Sequence, residues 1–250
     1  MVTDGMGIAD SKAIILAAGR GSRMKSLTEN QPKCRAVLHG KQLIEWQMQA
    51  LRDGGIANIA IVRGYLAENF TYPIEYFENE RWFQTNMVVS LLKASEWLEN
   101  FPCVVSYSDI VYSADAVNRL KNADGDITIA YDKNWLRLWS MRFDDPLSDA
   151  ETFRLDGNRV VEIGGRAKST GEIKGQYMGL FRFSPKGWSE VKNYLSSLPQ
   201  SVVDKLDITA LLQALINEKV EIGAIPITDN WYEVDSQKDL NCYQQLSALW

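Results

Sequence analysis

Histidine is almost missing from this chain, with His39 the only one in 250 residues. It sits beside Gly40 in a turn-like stretch and is assigned no catalytic task. Cysteine is equally sparse. Cys34, Cys103 and Cys242 are odd in number and far apart, no Cys/His spacing matches a zinc site, and the three read as reduced thiols of a cytoplasmic protein. No stretch approaches the roughly 18 consecutive apolar residues of a membrane span, and residues 1–11 carry Asp4 and Asp10 without the apolar core of a signal peptide. Secretion and membrane insertion are therefore not expected. There is no excess of positive charge: the net charge is −5 and the 27 Lys and Arg are scattered, which gives no electrostatic footprint for nucleic acid and directs attention to a small partner. Internal repeats and low-complexity segments are also absent.

What is present is a glycine loop launched from an apolar strand. Ala13 to Leu16 has the composition of a buried parallel strand, and the chain continues Leu16-Ala17-Ala18-Gly19-Arg20-Gly21-Ser22-Arg23-Met24, then Thr28 and Pro32-Lys33. Glycines at 19 and 21 allow a sharp turn in which several backbone N–H groups can face one anion, and Arg23 and Lys33 add mobile positive charge. The loop is not a dinucleotide fingerprint, because Met24 stands where a third glycine or alanine is required. Nor is it a Walker loop, because Gly-Lys-Ser/Thr is absent.

Coarse patterning alternates strands and helices, which predicts one α/β domain over residues 12–250 behind a flexible tail at 1–11, with a doubly wound, mainly parallel, Rossmann-like sheet. Strands are expected at 58–62, 73–77, 103–107 and 221–225, and helices at 43–53, 88–98, 188–195, 208–218 and 236–249. Shorter alternating runs at 127–130, 152–155, 160–163 and 177–183 predict a small β subdomain on the acceptor side. The apolar run 103–107 leads straight into Ser108-Asp109, a junction that matters because open parallel sheets bind ligands at the carboxyl ends of their strands.

The loop string, together with Gly64-Tyr65-Leu66, Asn86 and Ser90, Ser108-Asp109 and Glu233-Val234-Asp235-Ser236, resembles the nucleotidyltransferases that activate sugar 1-phosphates and phosphocholine. The resemblance spans nearly the whole chain and is strongest to bacterial cytidylyltransferases acting on phosphocholine, 2-aminoethylphosphonate and phosphorylated amino acids. It implies the fold of the nucleotide-diphospho-sugar transferases and transfer of CMP from CTP to a small phosphorylated or phosphonylated acceptor, with release of pyrophosphate. The implied reaction unites two anions, so neutralisation rather than a protein nucleophile is the central requirement. By resemblance, Mg2+ is expected on Asp109 and Asp235, with the number of ions left open. Lys33 is expected at the α-phosphate or leaving group, Arg23 at the β- and γ-phosphates, and Leu16, Ala17, Ala18, Gly19, Gly21 and Ser22 along the nucleotide. A further basic residue toward the acceptor phosphate is expected in 162–168, with Lys168 ahead of Arg166.

Asn86 and Ser90 are candidates for reading the base, Asn86 having equal claim as a helix cap. The stretch Gln84-Thr85-Asn86-Met87 lacks the Gln-x-Pro-x-Gly element of sugar-activating relatives, which favours CTP. Trp135, Trp139, Tyr177, Asp207 and Glu233 form a set of aromatic faces and carboxylates suited to an organic cation, the plain alternative being that the tryptophans are core. A sugar-1-phosphate enzyme using UTP, dTTP or GTP is the nearest rival reading, and a non-catalytic nucleotide-binding regulator is the rival of another class. A homodimer is compatible with the sequence.

Overall fold

The computed structural model describes residues 10–21, 23–24 and 28–250. The chain opens with β1 (Lys12–Ala17), a small hairpin of β2 (Val37–Leu38) and β3 (Lys41–Gln42), then α1 (Leu43–Asp53), β4 (Asn58–Arg63) and β5 (Glu75–Glu78). It continues through α2 (Met87–Lys93), α3 (Ser95–Asn100), β6 (Cys103–Tyr107), β7 (Ile110–Val111), α4 (Ala114–Lys121), β8 (Ile127–Asp132) and α5 (Trp135–Arg142). The last part holds β9 (Glu151–Asp156), β10 (Arg159–Arg166), β11 (Gln176–Phe183), α6 (Pro185–Ser196), α7 (Gln200–Val203), α8 (Ile208–Asn217), β12 (Gly223–Pro226), β13 (Tyr232–Glu233) and α9 (Gln237–Gln244).

Nine strands make one sheet in the order β5-β4-β1-β6-β11-β8-β12-β10-β9. The pairings of β5, β4, β1 and β6 are parallel, as is β8 with β12, while β11 and β10 run against their neighbours. Seven of the nine strands therefore point the same way, so the sheet is mainly parallel. Strands β9 and β10 continue this sheet at its edge.

Alternation along β1 explains why both faces are covered. Ala13, Ile15 and Ala17 enter one apolar layer with residues of α1, α4, α5 and α9, whereas Ile14, Leu16 and Ala18 enter the other with residues of α2, α3, α6 and α8. Truncating a fully buried residue such as Ile15 to Ala would cost about 2–5 kcal/mol. Helix α1 shows how local signals fix an element: Leu43, Ile44, Gln47, Met48 and Leu51 lie on its buried side, Gln42 and Glu45 form a capping box, and Gly54-Gly55 ends it, Gly55 at φ +86°.

Several boundaries differ from the sequence expectation. The helix predicted over 88–98 is two helices meeting at Ala94, whose φ −96° and ψ 16° break the ladder. Helices α4 and α5 were not predicted, and the closing helix stops at Gln244 instead of continuing to 249. The strands expected at 73–77 and 221–225 are displaced to 75–78 and 223–226. Residues 1–9 of the expected tail lie outside the described residues.

Candidate active site

The site is assembled at the carboxyl ends of β1 and β6. The turn after β6 carries Asp109, and the small ladder of β7 against β13 pairs Ile110 with Glu233 and Val111 with Tyr232. Val234 N–H donates to the Asp109 carbonyl at 2.8 Å, continuing the ladder beyond the strand. This pairing brings Asp109, Glu233 and Asp235 together, one carboxylate oxygen from each lying within 4.8 Å of the others. Buried Gln47 on α1 donates to the Ile110 carbonyl at 2.6 Å and so ties β7 to the helical layer.

Asp235 is fixed on its C-terminal side by the cap of α9. Ser236 and Asp239 form a capping box, and the same Asp239 Oδ2 accepts from the N–H groups of Asp235 and Ser236, each at 3.0 Å. The signal was legible as Ser236-x-x-Asp239 but was not used.

Lys33 reaches this cluster from a short 3-10 turn, Lys33–Arg35. Its Nζ donates to Asp109 Oδ2 at 2.8 Å and also pairs with Asp235 Oδ1. Gly21, at φ +69°, lines the lysine stem so closely that a Cβ there would stand 2.7 Å from Lys33 Cδ. Its structural duty is thus to admit the lysine, whereas a Cβ at Gly19 would meet nothing within 4 Å. The loop is held from outside by Tyr65, whose hydroxyl donates to the Thr28 and Glu29 carbonyls at 2.7 and 2.9 Å and whose N–H donates to Ala18 O. Arg23 extends from the exposed side to Asp235 Oδ2 at 3.0 Å.

Sequence reasoning missed the central cation of the cluster. Arg142, at the end of α5 and almost wholly buried, donates from Nη1 to Glu233, from Nη2 to Asp235 Oδ2 at 3.2 Å and from Nε to Asp239 Oδ1 at 3.3 Å. Its guanidinium lies over the rings of Trp139 and Phe143 at 5.5 and 4.9 Å. Only the long-range fold brings these groups together, so no spacing in the sequence marked the residue.

The charges perturb one another in consistent directions. Burial opposes the charge on Lys33, yet Asp109 and Asp235 outweigh it and hold the ammonium above its ordinary pKa. Burial likewise works against Asp235, and Lys33 overcomes it to hold that carboxyl low. Glu233 is pushed up by burial against the opposing pull of Arg142, with the neighbouring aspartates adding to the rise.

The remaining expected site residues are placed as follows. Leu16, Ala17 and Ala18 are buried at the end of β1 and the start of the loop, and Ser22 lies outside the described residues. Asn86 is the N-cap of α2, its Oδ1 accepting from Met87 N–H at 2.8 Å and its Nδ2 donating to Lys205 O at 3.3 Å. Ser90 is buried and accepts from Asn79 at 3.0 Å. Trp135 and Trp139 are core residues of α5 at 4% exposure, not open aromatic faces; Trp139 backs Arg142 and donates from its indole N–H to Asp149 at 3.1 Å. Tyr177 packs edge-on against Tyr107 with ring centres 5.9 Å apart, and Asp207 caps α8 through Ala210 N–H at 2.7 Å. Lys168 is exposed beyond β10, its own N–H bonded to Glu172 at 3.0 Å, and it makes no ion pair with the cluster among the described residues.

Among the described residues the four carboxylates Asp109, Glu233, Asp235 and Asp239 face three cations, Lys33, Arg142 and Arg23, and burial holds Glu233 toward its neutral form. All the anionic donors are oxygen, which suits a hard divalent ion. Asp109 Oδ1 is buried and makes no hydrogen bond among the described residues, an oxygen donor that fits such an ion.

Comparison with known proteins agrees with this architecture. Residues 13–170 match the family model of the MobA-like NTP transferase domain. The CTP:phosphoglutamine cytidylyltransferase of Campylobacter jejuni is 39% identical over 245 residues, covering 91% of this chain and 97% of that protein. The choline-phosphate cytidylyltransferase of Streptococcus pneumoniae is 42% identical over 94 residues, 36% of this chain and 41% of that protein. Among solved structures, the inositol-1-phosphate CTP transferase of T. maritima superposes with a TM-score of 0.74 at 20% identity, covering 96% of this chain and 98% of that one, a likeness of fold. No helix among the described residues is long and apolar enough to cross a membrane. With the matched domain covering residues 13–170, well over half of it, this chain belongs to the MobA-like nucleotidyltransferases.

Proposed function

We propose that the chain is a Mg2+-dependent cytidylyltransferase that moves CMP from CTP to a phosphorylated amino acid of the phosphoglutamine type, in the cytoplasm. The observation that carries this reading is the convergence of Lys33, Arg23, Asp109 and Asp235 beside the loop that follows β1. In the reaction an acceptor phosphate oxygen attacks the α-phosphorus of CTP, the bond from that phosphorus to the β-phosphate oxygen breaks, and pyrophosphate leaves with the electron pair. Lys33 would contact the α-phosphate, and exposed Arg23 would face the β- and γ-phosphates. Asp109 and Asp235 would hold the ion, which neutralises charge on the departing pyrophosphate. Because the nucleophile is an already ionised phosphate, no general base is needed, in keeping with the placement of His39, whose ring Nε2 lies 2.9 Å from the Tyr243 carbonyl.

The choice of acceptor rests on extent of similarity. Likeness to the phosphoglutamine enzyme runs along nearly all of both chains, whereas likeness to the choline-phosphate enzyme covers less than half of either. Pyrophosphate release should be measured with CTP, UTP, dTTP and GTP against phosphoglutamine, phosphocholine, 2-aminoethylphosphonate and sugar 1-phosphates. Release with CTP and phosphoglutamine well above every other pair is expected. Preference for a sugar 1-phosphate with another nucleotide would overturn the reading, and no release with any pair would favour a regulator.

A further inference from the structure

Lys33 has two claims upon it. The proposed function sends its ammonium to a phosphate, while its observed partners are Asp109 and Asp235, the carboxylates assigned to the ion. A divalent ion held by the two oxygens that Nζ now engages, Asp109 Oδ2 and Asp235 Oδ1, would take the place of the ammonium, and two cations cannot share that position. We propose, resting on the functional reading above, that Lys33 and the divalent cation are alternative occupants of the Asp109–Asp235 pair, so that the site takes its cation only as a metal–nucleotide chelate.

Three features support exchange. First, Lys33 is buried and its ammonium has no other acceptor among the described residues, so it can leave only when another anion receives it. A bare ion brings no such anion; a chelated triphosphate brings several. Second, Asp235 does not depend on Lys33 alone, since Arg142 and Arg23 hold its Oδ2 at 3.2 and 3.0 Å. Third, replacing a monocation by a dication brings more positive charge to a cluster in which carboxylates outnumber cations among the described residues. Gly21 belongs to the same device, because the missing side chain leaves the lysine stem room on the side of the phosphate loop.

The test is Mn2+ titration of the wild-type chain and Lys33→Met, with no nucleotide, followed by thermal denaturation of both with Mn2+ alone and with Mn2+ plus CTP, acceptor omitted. Without nucleotide, K33M should bind Mn2+ at least about tenfold more tightly than wild type, because the resident cation is gone and Asp109 loses its one ion-pair partner among the described residues. The melting temperature of K33M should rise with Mn2+ alone, and that of wild type only with Mn2+ and CTP together. If K33M does not fold, Lys33→Gln, which can still hydrogen-bond one carboxylate, serves in the same titration. Equal Mn2+ affinity of wild type and variant without nucleotide would overturn the exchange. The nucleotide-free arm does not involve CTP, so a wrong choice of donor would alter only the arm with nucleotide.

Discussion

Two groups of carboxylates in this chain are handled in opposite ways. In the cluster at the end of β6 every acid has a cation: Asp109 has Lys33, Glu233 and Asp239 share Arg142, and Asp235 touches Lys33, Arg23 and Arg142. Around a cavity of about 690 Å3 between β10 and α8, Glu151 and Asp207 face each other with no ion pair of their own among the described residues. Burial, then Asp207 and Asp149, push the Glu151 carboxyl up to about 7. The difference separates two tasks. A cluster in which each acid has a cation holds its geometry while cations trade places, whereas a buried carboxyl without one carries a cost of burial and repulsion that a proton or a cationic group relieves.

The comparison can be broken at Arg142, where the largest effect is expected. Arg142→Met leaves Glu233, Asp235 and Asp239 without their shared cation, and removing one partner from a buried ion network costs about 3–5 kcal/mol. Urea unfolding of the variant should show that loss, and Arg142→Lys should recover only part of it, because an ammonium cannot fork to three acceptors as a guanidinium does. A loss below about 1 kcal/mol would place Arg142 among ordinary surface pairs.

The unbalanced region gives a smaller, pH-dependent effect. A folded-state pKa raised from the ordinary 4.5 to about 7 means that the folded chain holds a proton the unfolded chain has released, so stability falls as pH rises between these values. Glu151→Gln keeps the shape and removes the titration. The variant should therefore melt above wild type at pH 8, with the gap narrowing as pH falls toward 4.5. Parallel melting curves across that range would remove the stored repulsion from the account.

Sequence reading succeeded where one local cause sufficed. The apolar runs of β1, β4, β6 and β11 and the glycine-stopped helix α1 were legible because burial on both faces, or a cap, decides them locally. It left residues 135–142 open, with Trp135 and Trp139 offered as aromatic faces for a cation or, alternatively, as core. In the fold their helical spacing turns Trp135, Leu138 and Trp139 inward and leaves Arg142 as the hub of the cluster. Lys33, Asp109, Asp235 and Glu233 were named in advance from motif resemblance, but their mutual contacts follow from the β7–β13 ladder, two strands of two residues each, too short to leave a pattern. The duty of Gly21 toward the Lys33 stem was equally invisible, since it depends on a close approach across the loop.

Lys33, Asp109 and Asp235 are proposed as the centre at which the nucleotidyl group is transferred. Pyrophosphate release from CTP and phosphoglutamine should be compared for wild type and Asp109→Asn, with circular dichroism used to establish that both are folded. The account predicts a folded variant whose release is reduced on the order of a thousandfold. A folded D109N chain releasing pyrophosphate at the wild-type rate would contradict it.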